Sequence, residues 1–295
     1  MKNLKILNLV PLLLFVLLGV GQAFAVWDGS SVEAAQVSNI GGTEYYIIDS
    51  EEKLAWFAQQ VNSGNVSYNA KLTANLDMGH KLWTPIAAGN NKNNYKGIFD
   101  GDNHVIFNLY INAEELIAKY NDKDMAQNIG FIGCFSGTVR NLILEDIEVL
   151  GYGKGGLGQP DKVIEKPISI GTVVGWQSVN SSLIEGCYTT GQITTSGDGQ
   201  AVGGIVGNVG GGTVKNCFSA VNIDANGIGY VGGIAGYTKN FGNNGVVKIS
   251  SCVYAGESLV SNGEGAVGAI VGHQYKGNVT FDNLYYDEDK FDSGL

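Results

Sequence analysis

The chain has 295 residues, a formal net charge of -10, 44 glycines, only 4 prolines and one arginine, Arg140. This acidity excludes nucleic acid and an anionic membrane surface as partners. The glycines lack a three-residue period and stand among plentiful aliphatic residues, which excludes collagen and a disordered linker and points to many short strands joined by glycine turns.

Residues 1–25 read as a signal peptide: Lys2 and Lys5, an apolar run from Leu9 to Val20, then Ala23-Phe24-Ala25 as the cleavage site, so that the mature chain starts at Val26. The run is short for an uncleaved anchor, and no later segment is apolar enough to span a membrane. No cysteine follows Ala25, which argues against a lipid anchor.

Residues 26–64 form an N-terminal lead-in. Ser50-Glu51-Glu52 supplies an N-cap and an acidic first turn, and Leu54, Phe57, Ala58 and Val61 follow at helical spacing until Asn62-Ser63-Gly64 ends the run. A single amphipathic helix here is placed to cover the open end of whatever core follows.

Residues 65–290 repeat. An apolar residue, a polar one, a corner residue and a second apolar one recur as Ile106-Phe107-Asn108-Leu109, Val139-Arg140-Asn141-Leu142, Ile184-Glu185-Gly186-Cys187, Val214-Lys215-Asn216-Cys217, Ile249-Ser250-Ser251-Cys252 and Phe281-Asp282-Asn283-Leu284. A weaker copy ends at Asn75-Leu76. From Leu76 the last positions are separated by 33, 33, 45, 30, 35 and 32 residues, and the long interval holds a glycine-rich, charged stretch, about 151–166, that reads as an inserted loop. Upstream of the later copies stand Gly171-Thr172-Val173-Val174-Gly175, Gly203-Gly204-Ile205-Val206-Gly207, Gly232-Gly233-Ile234-Ala235-Gly236 and Gly268-Ala269-Ile270-Val271-Gly272. Degenerate versions surround Phe131 and Phe99.

An apolar strand of four or five residues cannot bury its face alone, whereas stacked copies share one core. The repeat predicts an all-β fold, a right-handed parallel β-helix or solenoid of about six to seven coils with an N-terminal capping α-helix, each coil using three short strands. Leu109, Leu142, Cys187, Cys217, Cys252 and Leu284 are its core positions. Asn108, Asn141, Asn216 and Asn283 are corners, because asparagine tolerates the left-handed conformation, and their side chains can bond along the stack. Gly186 suits the same corner. Outward positions such as Arg140, Glu185, Lys215, Ser250 and Asp282 read as freely variable. The chain ends soon after Leu284, with 291–295 as a tail and no second cap, which leaves either a poorly protected last coil or a longer polypeptide.

Three of the four cysteines share a repeat position that elsewhere holds leucine. Small core hydrophobes are the first reading and a disulfide within the stack the second. His80, His104 and His273 are scattered and no His-Glu-x-x-His helix exists, so no metal site and no cofactor is implied. Asp100 and Asp102 could act as paired carboxylates on a glycoside, yet Asp-Gly and Asp-Asn are turn formers where the coil must turn. The residues after the glycine-flanked strands, Cys134, Trp176, Asn208, Tyr237 and His273, would align on stacking, and Trp176, Asn208, Tyr237 and His273 are the candidate row for a partner.

The glycine-flanked strand followed by Asn216-Cys217-Phe218 or Gly186-Cys187-Tyr188 resembles the GLUG repeat of bacterial surface proteins. Leu54-Ala55-Trp56-Phe57-Ala58, Leu72-Thr73-Ala74-Asn75-Leu76-Asp77, Trp83-Thr84-Pro85-Ile86 and Gly97 to His104 are similar to the segment that commonly precedes such repeats. The match runs from about Tyr45 to Asp287. The resemblance implies a parallel β-helix in secreted or cell-surface proteins, often adhesins and sometimes an accessory region of immunoglobulin A peptidases, and it brings no catalytic residues. The chain departs from long members of that family in having few repeats and no recognisable wall anchor or sorting domain after Asp287. The expectation is an exported, non-catalytic module that binds an extracellular glycan or protein. The alternatives are a polysaccharide-degrading enzyme and a structural spacer.

Overall fold

A computed structural model describes residues 26–89, 93–152, 168–239, 246–263, 265–275 and 277–291. Residues 1–25, read above as a signal peptide, most of the expected inserted loop and most of the tail lie outside them. The described chain is mostly β, built on parallel sheets with two α-helices. Among the described residues no helix is long and apolar enough to cross a membrane.

Four sheets share the strands. Sheet 1 holds Ala70–Leu72, Ile98–Asp100, Thr138–Arg140, Leu183–Glu185, Gly212–Lys215, Val246–Ser250 and Asn278–Asp282, all parallel, and begins with the antiparallel hairpin Gln36–Ile40 and Thr43–Ile48. Sheet 2 includes Val105–Phe107, Ile143–Tyr152, Tyr188–Ser196, Phe218–Ala225, Val253–Tyr254 and Tyr285–Tyr286. Sheet 3 holds Asn128–Ile129, Ile168–Gly171, Gln200–Gly203, Gly229–Gly232 and Ala266–Gly268, and sheet 4 holds Ile132–Phe135, Val174–Gln177, Val206–Val209, Ala235–Thr238 and Val271–Gln274. From residue 128 onward the chain visits sheets 3, 4, 1 and 2 in that order, so each repeat spends four strands rather than three.

Register makes the core continuous. In sheet 1, Ala70, Phe99, Val139, Ile184, Val214, Ile249 and Phe281 stand in one column, and all but Phe281 are fully buried. Each buried valine, isoleucine or phenylalanine of the column contributes about 1.5–3 kcal/mol by leaving water. The corner residues adopt the expected left-handed conformation, with φ of 52° at Asn141, 62° at Gly186, 55° at Asn216, 53° at Ser251 and 51° at Asn283. Their amides carry the stacking: Asn141 N–H donates to the Glu185 carbonyl at 3.0 Å, Gly186 to Lys215 at 3.1 Å, Asn216 to Ser250 at 3.1 Å and Ser251 to Asp282 at 2.9 Å. Two of the corner side chains bond to aspartates, Asn108 to Asp77 at 2.9 Å and Asn141 to Asp100 at 3.5 Å.

One repeat copy is displaced from its expected place. Val105–Phe107 pairs with Ile143–Glu145, so Asn108 shares a second corner with Asp146 (φ 52°) and is not stacked on Asn141. The residues in line with Val139 and Arg140 are Phe99 and Asp100. Leu109 is buried as expected, but in a different column from Leu142. The even spacing misleads because an extra helix occupies this repeat. That helix, α2 (Ala113–Tyr120), was not expected from the sequence, although Asn112 caps it by accepting from the Glu114 and Glu115 amides at 3.0 and 3.2 Å.

The predicted N-terminal helix is present as α1 (Glu51–Asn62), with the Ser50 hydroxyl accepting from Lys53 N at 3.3 Å. It buries Leu54, Phe57, Ala58 and Val61, and the Phe57 ring meets Phe99 of the inner column edge-on at 6.2 Å. It therefore closes over the first described strands of the core.

Glycines 175, 207, 236 and 272 do not mark turns. None has positive φ. A Cβ on Gly175 would stand 2.7 Å from the Ile129 amide nitrogen, and on Gly207, Gly236 and Gly272 it would overlap the amides of Ile170, Val202 and Val231. Those four amides are successive rungs of sheet 3. Sheet 4 thus lies backbone against backbone on sheet 3, a packing that only a residue without a Cβ allows.

Candidate functional site

The row proposed from sequence is in register: Cys134, Trp176, Asn208, Tyr237 and His273 face one another across successive strands of sheet 4. It is not the exposed line expected. Cys134, Asn208 and Tyr237 are buried, and only Trp176 and His273 keep partial exposure. The cause is the close packing of sheets 3 and 4, which turns the outer faces toward each other. There Ala201, Tyr230 and Tyr237 form a second small apolar cluster. The Tyr237 ring stacks on Tyr230 at 5.1 Å, and His273 stacks on Tyr230 at 4.4 Å. Burial pushes the His273 imidazole below its ordinary pKa and the Cys134 thiol up to about 12. Asn128 donates to the Gly89 carbonyl at 3.0 Å and Cys134 contacts the same carbonyl at 3.4 Å, tying the row's first residue into the structure.

A different row is exposed. On the outer face of sheet 2, Val105, Ile143, Tyr188, Phe218, Val253 and Tyr285 stand in register, each at least partly open to solvent. The Tyr188 and Phe218 rings are parallel, 5.0 Å apart with planes 7° from one another. Tyr285 is 40% exposed. The signal was present in sequence: the residue directly after each corner pair is large and apolar every time.

The outward column of sheet 1 does not vary freely. Lys71, Asp100, Arg140, Glu185, Lys215, Ser250 and Asp282 are in register, and the first five alternate in sign. Arg140 donates from Nε and Nη2 to Asp100 Oδ2 at 3.0 and 2.8 Å, and Lys215 meets Glu185 at 2.9 Å. Asp100 is thus a buried ion-pair partner as well as part of a turn, and Arg140, expected in open solvent, holds it. Asp102 and Asn103 turn the chain with φ of 48° and 63°. Lys71 sits 2.7 Å from Asp102, and its hydrogen bond lowers the Asp102 carboxyl below the usual range. Both carboxylates of the candidate pair are therefore held with cations.

The cysteines are free. Cys187, Cys217 and Cys252 are buried at successive levels of one column, since Phe218 N–H donates to the Cys187 carbonyl and Val253 N–H to that of Cys217, both at 2.9 Å. The core-hydrophobe reading fits this placement. Among the described residues no group of three or more His, Cys, Asp or Glu side chains could hold a metal ion. His80 pairs with Glu148 at 2.6 Å and His104 lies 3.3 Å from Asn75.

No family model matches the chain. Comparison with curated proteins gives no match. Among solved structures the chain is similar to a Bacteroides ovatus protein described as a putative immunoglobulin A1 protease, with a TM-score of 0.52 and 22% identity over 82% of this chain and 75% of that one. At that identity the likeness concerns the fold alone.

Proposed function

We propose that this chain is a secreted, non-catalytic binding module, a right-handed parallel β-helix of about six to seven coils akin to the GLUG-repeat surface proteins. The four-strand repeat, the parallel pairing of the strands from Ala70 onward and the helix over one end support the β-helix reading. Export rests on the signal peptide read in residues 1–25. The observation that carries the binding reading is the outward row Ile143, Tyr188, Phe218, Val253 and Tyr285, an aromatic and apolar ladder on sheet 2. Solvated sheet faces are ordinarily polar, so a contiguous apolar row marks a contact surface. Stacked rings suit the C–H face of a sugar or an apolar protein patch, and the module acts as an adhesin-like display for such an extracellular glycan or protein.

The peptidase named for the structural neighbour is the second reading. No His-Glu-x-x-His motif is present in this sequence, and we hold the non-catalytic reading above it. Residues 26–295 should be incubated with insoluble polysaccharides, host matrix proteins and immunoglobulin A1, scoring co-sedimentation, sugar release and chain cleavage. Binding without release, lost in Tyr188→Ala/Phe218→Ala, is expected. Sugar release that disappears in Asp100→Asn, or cleavage of immunoglobulin A1, would overturn it in favour of an enzyme.

A further inference from the structure

At the N-terminal end a cavity of about 640 Å³ opens between α1, the 27–32 segment, the 82–88 segment and the end of α2. That volume falls in the range of small-molecule sites, on the order of 300–1,000 Å³. The base is rigid. Asn62 on α1 donates to the Pro85 carbonyl and accepts from the Ala88 amide, both at 3.0 Å, which clamps the 82–88 segment to the helix. Trp83 is fully buried, its indole stacked on Phe131 at 5.6 Å and its Nε1 donating to the Phe131 carbonyl at 3.2 Å.

The mouth is different in character. Tyr120 is 45% exposed, with its hydroxyl 2.8 Å from Thr84 Oγ1, and Gln59 of α1 is an exposed residue of the same lining. Although the chain carries a net charge of -10, no described lining residue is acidic, and Lys119 is the one charged side chain among them. Glu115, one helical turn back, is engaged by the Tyr110 hydroxyl at 2.7 Å and the Asn112 amide at 3.0 Å. The Lys119 ammonium lies 5.3 Å from the centre of the Tyr120 ring.

A pyranose offers an apolar C–H face bordered by hydroxyls, which matches an exposed aromatic ring flanked by an amide and a hydroxyl. Among the described residues no carboxylate pairs with the Lys119 ammonium, and such a cation selects an anion. We propose that this cavity binds a carboxylate-bearing sugar, of the hexuronic acid class, with Lys119 taking the carboxylate, Tyr120 the ring face, and Gln59 and Thr84 the hydroxyls. The site is separate from the ladder on sheet 2 and does not depend on it.

The mature chain should be titrated with glucuronate, galacturonate and methyl glucoside, following saturation transfer to the sugar and tryptophan fluorescence, since Trp27 and Trp83 line the cavity. We expect both uronates to bind with about a tenfold preference over the methyl glycoside. Lys119→Met should abolish the preference, Lys119→Arg should keep it, and Tyr120→Ala should weaken all three sugars. Lys119 and Tyr120 are exposed, so an unchanged circular dichroism spectrum is expected for each variant. No uronate binding by the parent chain, or uronate binding untouched by Lys119→Met, would overturn the proposal. Polymer co-sedimentation through Tyr188 and Phe218 is measured separately, so either site can fail alone.

Discussion

Arg140 and Asp100 stand opposite one another on adjacent parallel strands, 40 residues apart in sequence, with the guanidinium making two hydrogen bonds to one carboxylate oxygen. The Asp100 side chain is only 8% exposed while that of Arg140 is 40% exposed. Removing the arginine would leave a buried carboxylate with Lys71 at 3.9 Å as its remaining cation. Arg140→Met should therefore destabilise the fold by about 1–3 kcal/mol, below the full cost of breaking a buried pair because the guanidinium is partly solvated. Thermal melts should show Asp100→Asn less affected than Arg140→Met.

Farther down the same column, Glu185 lies between Arg140 and Lys215. Glu185→Lys would put three cations in register, and like charges facing across strands are unfavourable. A loss of about 1 kcal/mol is expected at low salt, shrinking as screening increases. Denaturant midpoints at two ionic strengths check this, and a salt-independent loss would count against an electrostatic ladder.

Ser251 occupies a corner at φ 53° where the other repeats place asparagine or glycine. Residues with a Cβ pay on the order of 1 kcal/mol for that conformation, and glycine does not. Ser251→Gly should raise the melting temperature and leave the exposed ladder's binding unchanged.

Gly236 shows the opposite requirement. Its backbone conformation is ordinary, but a Cβ there overlaps the Val202 amide. Gly236→Ala should cost about 1–3 kcal/mol or more, as overpacking does. A well-folded, equally stable variant would show that sheets 3 and 4 do not pack backbone to backbone.

Burial raises the Cys217 thiol well above its ordinary 9.0, and the hydrogen bond that Cys252 donates to Cys217, followed by burial, raises that of Cys252. Above pH 9 the unfolded chain loses these protons while the folded chain keeps them. The unfolded state then binds fewer protons, so stability is present in full below pH 9 and falls as pH rises toward the folded values. Unfolding free energy measured from pH 8 to 11 should slope downward, less steeply in Cys217→Ala. Native thiols should resist iodoacetamide at pH 8 and react once the chain is unfolded.

The corner residues show how much was legible in the sequence. Asn141, Gly186, Asn216 and Asn283 could be assigned because only a few residue types accept positive φ and their spacing recurs. Ser50 and the apolar spacing after it were enough to place α1. Asn108 could not be assigned correctly from spacing, because α2 lengthens one repeat while the interval between similar tetrapeptides stays even.

What the sequence determined by itself was local and periodic: a glycine-rich β chain with a repeated apolar strand, a corner residue and an N-terminal helix. Those features follow from conformational preference and from the need to bury one face, which act residue by residue. Tertiary structure alone decided which outward row is open. The Trp176 to His273 row alternates like any exposed face, yet glycine contacts bring sheets 3 and 4 together and bury most of it. The Ile143 to Tyr285 row remains exposed because no strand lies over sheet 2 there among the described residues. The charge ladder was likewise settled by register, since strands tens of residues apart acquire opposed partners only when the hydrogen-bonded stack fixes which rung faces which.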